Sequence, residues 1–233
     1  MPYSTPKAEF FHRELPELEG RLLTGKLIVI EGADGSGRST QMRLLGRWLE
    51  SKGYAVNQVG IKRSNLAADQ LEQAQQKNVM TYKTMALFYA TDLYDQIVTQ
   101  IIPALNASAI VLADRYVYTL IARAMVRGAE ADWIRNLYSP AIAPDAVFYF
   151  KVPPDQLLER YLNKTRSLDY WESGMDLGLH KDGFDSFLEY QRLVDEEFGK
   201  MAGPHGFQTI EATRPVFAIQ KELRRKIKAL LEA

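Results

Sequence analysis

The 233-residue sequence contains no cysteine, and its 29 lysines and arginines balance its 29 aspartates and glutamates. The lack of cysteine excludes a disulfide framework, a thiol nucleophile and a cysteine-ligated metal site. Zero net charge argues against a general nucleic-acid-binding protein, which usually carries a basic excess. The first twenty residues mix charges with prolines, unlike a signal peptide or a membrane span. We therefore expect a cytoplasmic globular protein with neither nucleic acid nor membrane as a partner.

Short apolar runs alternate along the chain with segments of helical periodicity. The apolar run at 27–30 suits a strand buried on both faces of a parallel sheet. The remaining predicted strands lie at 54–60, 109–114, 146–152 and 207–210. Helices are predicted at 66–77, 81–105, 154–164 and along the C-terminus from Val216. This alternation predicts an α/β fold of three layers (α/β/α), built on a doubly wound, five-stranded parallel sheet.

The chain divides into an extension and one domain in this interpretation. Residues 1–24 show no clean periodicity and are interpreted as an N-terminal extension, and residues 25–233 as a single domain. Within it, residues 165–182 carry glycines and charges with weak periodicity, and the helical pattern resumes at Phe184. We interpret that segment as a mobile lid.

Residues 32–39 (GADGSGRS), called the P-loop below, match the phosphate-binding spacing GxxxxG[KR][ST]. Its glycines let successive backbone N–H groups converge on a phosphate, and the following helix adds its dipole. The Ser39 hydroxyl is placed to ligate Mg²⁺. Arg38 stands where the motif usually has lysine, and arginine is longer, planar and always charged. Because arginine differs from lysine in length and shape, a nucleotide site with impaired catalysis is an alternative interpretation.

A second motif, Asp114-Arg115-Tyr116, ends the third predicted strand. An acid at the carboxyl end of a strand beside a P-loop can hold Mg²⁺ through water, and the adjacent arginine can bind a second phosphate. An Asp-Arg pair elsewhere would be read as a surface salt bridge. Its position after an apolar strand, downstream of a P-loop, favours function.

Three segments together resemble the thymidylate kinases, which belong to the P-loop nucleoside monophosphate kinases. They are EGADGSGRSTQ at 31–41, ADRYVYT at 113–119 and PDAVFYFKVPPDQLLERY at 144–161, and the similarity runs from about residue 26 to 230. The resemblance implies transfer of the γ-phosphoryl group of ATP, bound with Mg²⁺, to a nucleoside monophosphate. The acceptor it implies is dTMP, giving dTDP, and the implied assembly is a homodimer.

The resemblance also implies roles for individual residues. The catalytic residues would be Arg38, Arg115 and Arg166. ATP would be bound by Gly32, Asp34, Gly35, Ser36, Gly37, Arg38, Ser39 and Thr40. The acceptor would be bound by Asp34, Lys62, Arg63, Phe88, Tyr89, Asp92, Arg115 and Tyr116, with the ring of Tyr89 or Phe88 stacked on the base. The metal would be held by Ser39 and Asp114.

Several positions depart from the family pattern. Leu93 stands where the family has an arginine that contacts the thymine edge, and Arg123-Ala124 replaces a Tyr-Gln pair whose ring disfavours a 2′-hydroxyl. A kinase for another nucleoside monophosphate, or a nucleotide-binding module with catalysis impaired by Arg38, therefore remains an alternative. A nucleoside kinase is disfavoured, because Lys62-Arg63 follow the second strand where such an enzyme would want a carboxylate.

Overall fold

The computed structural model describes residue 11 and residues 23–76, 80–165 and 168–232. Every strand in this part of the chain belongs to one parallel sheet with the order β2-β3-β1-β4-β5. The strands are β1 (Lys26–Gly32), β2 (Val56–Gly60), β3 (Ile110–Asp114), β4 (Ala146–Lys151) and β5 (Gln208–Glu211). The predicted five-stranded parallel sheet is confirmed.

Helices cover both faces of the sheet. They are α1 (Arg38–Ser51), α2 (Ala68–Gln76), α3 (Tyr82–Gln96), α4 (Ile102–Asn106), α5 (Val117–Val126), α6 (Ala131–Leu137), α7 (Pro154–Thr165), α8 (Gly183–Ala202) and α9 (Val216–Leu231). A π-helical turn, Ile97–Ile101, joins α3 to α4, and a short 3₁₀ helix, Met175–Leu177, precedes α8. The fold is thus the predicted three-layer α/β/α arrangement.

The central strand β1 separates two hydrophobic cores. Leu27 and Val29 point into the core that includes residues of α3, α5 and α8, whereas Ile28 and Ile30 point into the core formed with α1 and α9. All four side chains are fully buried. This explains why β1 is a continuous apolar run instead of an alternating one, since both faces of a parallel sheet are covered by helices.

The long helix predicted over 81–105 is interrupted in the structure. The π-helical turn lies immediately before α4, whose second residue is Pro103. Proline has no N–H to donate and its ring clashes with the preceding turn, so the regular α-helical hydrogen-bond ladder cannot run through it. Helix α6 had no counterpart among the predicted elements.

The carboxyl ends of β1 and β3 meet at one edge of the sheet, where Ile30 pairs in register with Asp114. Ligands of open α/β sheets bind outside this edge, where neighbouring strands lead to opposite faces. The P-loop and the Asp114-Arg115-Tyr116 motif are therefore side by side.

The division into an extension and one domain stays a prediction, because residues 1–10 and 12–22 lie outside the described residues. Phe11 is described, and its N–H donates to the carbonyl of Ala141 at 2.6 Å. In the described part of the chain, none of the helices has the length and apolar character needed to cross a bilayer.

Candidate active site

The P-loop begins where β1 ends. Gly32 has a φ of 143°, and a Cβ there would lie 2.8 Å from the carbonyl oxygen of Phe150, so only glycine fits. Gly37 caps α1 in the left-handed conformation, and Ser39 and Thr40 follow in the first turn of the helix. The buried Ser36 hydroxyl has no hydrogen-bond partner among the described residues. An unpaired buried hydroxyl at a helix N-terminus is suited to an anionic ligand.

Arg38 lies beneath the loop. Its Nη1 donates to the carbonyls of Gly32 and, at 2.6 Å, of Ala33, and its Nε donates to Asp114 Oδ1 at 2.8 Å. Its Nη2 is 3.5 Å from Asp34 Oδ1. Only 7% of the side chain is exposed, so the guanidinium is paired inside the loop and does not project from it.

Arg115 directly follows β3 in a left-handed backbone conformation with a φ of 66°. A non-glycine residue in that region carries strain of about 1–3 kcal/mol, and such residues cluster at functional sites. Its Nη2 lies 2.9 Å from Asp34 Oδ1 as an ion pair without hydrogen-bond geometry. The buried Nε and Nη2 consequently have no hydrogen-bond partner among the described residues. This guanidinium has donors to spare for a ligand.

The carboxyls of Asp34 and Asp114 stay ionised in this surrounding. Burial alone would raise the pKa of Asp34, but the charges of Arg115 and Arg38 hold that pKa well below its usual range. Burial would also raise the pKa of Asp114, but Arg38, Arg115 and Arg63 together lower that pKa below its usual value. The site therefore consists of interleaved guanidinium and carboxylate ions.

Glu31 holds the start of α5, which follows Arg115 in the chain. Its carboxylate is fully buried and accepts the N–H of Tyr116 at 2.9 Å, the N–H of Thr119 at 3.3 Å and the Thr119 hydroxyl. These groups form the first turn of α5, so Glu31 caps this helix from another strand. Burial raises the pKa of Glu31 to about 7 despite these hydrogen bonds. The ring of Tyr116 is buried in the hydrophobic core, and its predicted contact with an acceptor stays a prediction.

The loop after β2 is held by Asp92. This carboxylate is buried and accepts the N–H of Lys62 at 2.8 Å and the N–H of Ser64 at 2.9 Å. The side chains of Lys62 and Arg63 are exposed, and Arg63 Nη2 is 3.5 Å from Asp114 Oδ2. The structure thus gives Asp92 a role in fixing the loop, and it places Arg63 at the rim of the ionic cluster.

Of the two candidate aromatic residues on α3, Tyr89 lines a cavity between α3 and α5. Its ring is 4% exposed, and its hydroxyl accepts a hydrogen bond from Gln75 Nε2 at 3.0 Å. Arg123 and Arg127 line the same cavity. Phe88 packs against the core as a half-buried side chain.

Two ion pairs missed by the sequence analysis join α5 to the segment before α8. Arg123 Nη2 lies 2.5 Å from Glu172 Oε1, and Arg127 contacts both oxygens of Asp176 at 2.8 and 3.0 Å. Trp171 is buried, and its carbonyl accepts a hydrogen bond from Arg127 Nη2 at 3.0 Å. Spacing gave one signal, since Arg123 in α5 and Arg127 at its C-terminal cap are four residues apart. The described part of the predicted lid is thus anchored to α5; Arg166 lies outside the described residues.

Sequence comparison shows which known proteins this chain, with its P-loop and ionic cluster, is similar to. The sequence pattern described as thymidylate kinase matches residues 30–223. This chain belongs to the thymidylate kinase family. It is 37% identical over 204 residues to a probable thymidylate kinase 2 of Saccharolobus solfataricus, covering 87% of this chain and 95% of that protein. It is 32% identical to a probable thymidylate kinase of Thermococcus kodakarensis (75% and 83% covered). A Bacillus pumilus thymidylate kinase is 27% identical (90% and 98% covered).

Some of the predicted site residues are joined by ion pairs and others are not. Asp34, Arg38, Asp114 and Arg115 form one connected ionic cluster with Arg63 at its edge. Among the described residues, the acceptor candidates Lys62 and Asp92 make no ion pair with this cluster. Within the described residues, no three histidine, aspartate or glutamate side chains converge as a metal site. Membership of this kinase family makes the protein an enzyme of the phosphotransferase class.

Proposed function

We propose that this protein transfers the γ-phosphoryl group of ATP to dTMP, giving dTDP. The observation that carries the proposal is Arg115, which has a strained backbone and a buried guanidinium whose Nε and Nη2 make no hydrogen bond among the described residues. Such donors bind phosphate oxygens well, because the hydrogen bonds are charge-assisted and the arginine fork is planar. Membership of the thymidylate kinase family supports dTMP as the acceptor.

The P-loop is the donor side of this site. The backbone N–H groups after Gly32 and the unpaired Ser36 hydroxyl would bind the ATP phosphates. Ser39 and Asp114 would hold Mg²⁺, since hydroxyl and carboxylate oxygens are the ligands this cation prefers. The metal supplies neutralisation of the charge on the transferring phosphate oxygens. Arg38 adds a positive charge under the loop, where it also keeps Asp114 ionised.

The acceptor side is built from Arg115 and the loop after β2. Arg115, with Lys62 or Arg63, would hold the acceptor phosphate in line with the γ-phosphate, and Tyr89 or Phe88 would contact the base. Lid closure would bring Arg166 to the phosphates and exclude water. Phosphoryl transfer requires little covalent chemistry from the protein, so positioning and charge neutralisation carry the rate.

We also propose a homodimer. Leu87 on α3 and Val98 in the π-helical turn after it are 51% and 59% exposed. These exposed apolar side chains would be covered in such an assembly. Sedimentation velocity of the wild-type protein and of Leu87→Glu tests this, and a monomeric wild type would contradict it.

The test of function is ADP formation from ATP and Mg²⁺ with a panel of ribo- and deoxynucleoside monophosphates, using wild type and Arg38→Lys. We expect turnover with dTMP. Preference for another monophosphate would move the function within the class. If the wild type is silent and Arg38→Lys is active, the natural protein is a nucleotide-binding module, an alternative that the inward pairing of Arg38 favours.

Arg115→Ala separates the roles within the site. Loss of this guanidinium should raise KM for the acceptor and lower kcat, because it would touch the acceptor phosphate in both the ground state and the transition state. Arg135→Ala is a suitable control, since Arg135 is a 55% exposed residue paired only with Asp132 among the described residues. Unchanged kinetics in Arg115→Ala would remove this residue from the site.

A further inference from the structure

Glu172 places one carboxylate oxygen between two buried arginines. Its Oε1 is 2.5 Å from Arg123 Nη2 and 3.7 Å from Arg115 Nη1. The three side chains are only 10–14% exposed. Arg115 still has the unpaired N–H donors described above, so Glu172 does not satisfy the guanidinium that it faces.

The buried guanidinium groups around the P-loop lie against carboxyl groups of the protein itself, and the exposed Arg63 lies at the rim of the cluster. The three guanidinium groups of Arg38, Arg115 and Arg123 face the three carboxylates of Asp34, Asp114 and Glu172. Unpaired buried charges are costly, so a site made to bind phosphates needs internal counterions while it is empty. An arriving acceptor phosphate adds negative charge beside Arg115, and like charges in contact are unfavourable.

Among these carboxylates, Glu172 is the one that can give way. Asp34 belongs to the P-loop and Asp114 ends β3, and both are tied to Arg38. Glu172 lies outside the sheet edge. Its backbone is fixed, because its N–H donates to Asp169 Oδ1 at 3.0 Å and its carbonyl accepts from Gln191 Nε2 at 2.9 Å. An exchange of carboxylate for phosphate therefore needs only rotation of the Glu172 side chain.

We propose that Arg115 and Arg123 form one two-arginine site for the acceptor phosphate, and that the Glu172 carboxylate fills this site until the acceptor binds. This inference rests on the proposed function, and it adds Arg123 as an acceptor-binding residue. A nucleoside without a phosphate group cannot replace the carboxylate. Thymidine binding should therefore not depend on Glu172, whereas dTMP has to displace its carboxylate from the two arginines.

Arg127 differs from Arg115 because all of its N–H donors are used inside the protein. It donates to both oxygens of Asp176, to the Tyr190 hydroxyl at 2.6 Å and to the Trp171 carbonyl at 3.0 Å. Its hydrogen-bonding capacity is taken up by the fold. Removing the Asp176 carboxylate is therefore a matched control for removing the Glu172 carboxylate, since both belong to one segment and face buried arginines of one helix.

The experiment is isothermal titration of wild type, Glu172→Gln and Asp176→Asn with dTMP, thymidine and inorganic phosphate at constant ionic strength. In Glu172→Gln, Kd for dTMP and for phosphate should fall about tenfold, equivalent to about 1.4 kcal/mol, with thymidine binding unchanged. Asp176→Asn should bind all three ligands like the wild type. Arg123→Gln should weaken dTMP binding and leave thymidine binding unchanged, with Arg123→Lys restoring part of the affinity.

Unchanged or weaker dTMP binding by Glu172→Gln would overturn the inference, because Glu172 would then orient the arginines instead of competing with the ligand. An equal gain in Asp176→Asn would also overturn it, since the gain would then reflect net charge alone. The proposed function fails separately, through a wild type that phosphorylates no monophosphate. Glu172→Asp, which keeps the charge on a shorter side chain, should bind dTMP no more tightly than Glu172→Gln.

Discussion

Glu31 should make the stability of this protein depend on pH in a predictable direction. Burial raises its pKa to about 7 from an ordinary value of 4.5. Because the folded protein favours the protonated carboxyl, the stabilisation is complete below the unfolded pKa and is lost as the pH rises through the folded one. A pKa difference of this size corresponds to about 3 kcal/mol of unfolding free energy.

Glu31→Gln isolates this contribution, since the amide cannot ionise and its oxygen still accepts the Tyr116 N–H. Urea unfolding of wild type and variant should be measured from about pH 4 to about pH 8 at fixed ionic strength. The free energy of the wild type minus that of the variant should fall by about 3 kcal/mol across this range. Glu50→Gln, which removes an exposed carboxylate of α1, is the control. A wild-type-minus-variant difference that does not change with pH would refute the reasoning.

Three further substitutions test the elements around the site. Asp92→Ala removes the acceptor of two backbone N–H groups in the loop after β2, so KM for the acceptor should rise in steady-state assays. An unchanged KM would mean that Asp92 is not needed to position this loop. Gly60→Ala puts a Cβ 2.5 Å from the Asp114 carbonyl oxygen, and urea unfolding should show a loss of about 1–3 kcal/mol. Trp171→Ala empties a buried site and should cost about 3–5 kcal/mol by the same assay, whereas a small loss would show that the segment is not anchored there.

The sheet could be predicted from the sequence because its inner strands are continuous apolar runs. β1, β3 and β4 begin within one residue of the predicted positions, since burial on both faces leaves a strong local pattern. The interruption of the helix after Gln96 was not predicted, although Pro103 was visible in the sequence. Proline removes the hydrogen bond to the preceding turn, so the irregular turn lies before Pro103 in the chain.

The candidate site could be predicted only where local motifs define it. Asp34 and Arg38 belong to a single loop, and Asp114-Arg115 ends the neighbouring strand, so topology alone brings them together. The pairing of Arg123 with Glu172 joins residues 49 positions apart, and no local pattern encodes it. In the sequence, Arg123 stands where the family has a tyrosine, so it indicates only that an aromatic ring is missing. The ion pair of Arg123 with Glu172 is visible only in the folded chain.

The pairing of buried charges inside the P-loop cluster has a kinetic consequence. A site with an excess of one charge attracts ligands of opposite charge and raises their association rate. Added salt screens this attraction and lowers the rate. Here each buried guanidinium of the cluster already lies against a carboxyl group, and the chain as a whole carries no net charge. Nucleotides should therefore arrive at a rate that changes little with ionic strength. Discrimination would begin only after contact, when a phosphate competes for arginines at hydrogen-bonding range.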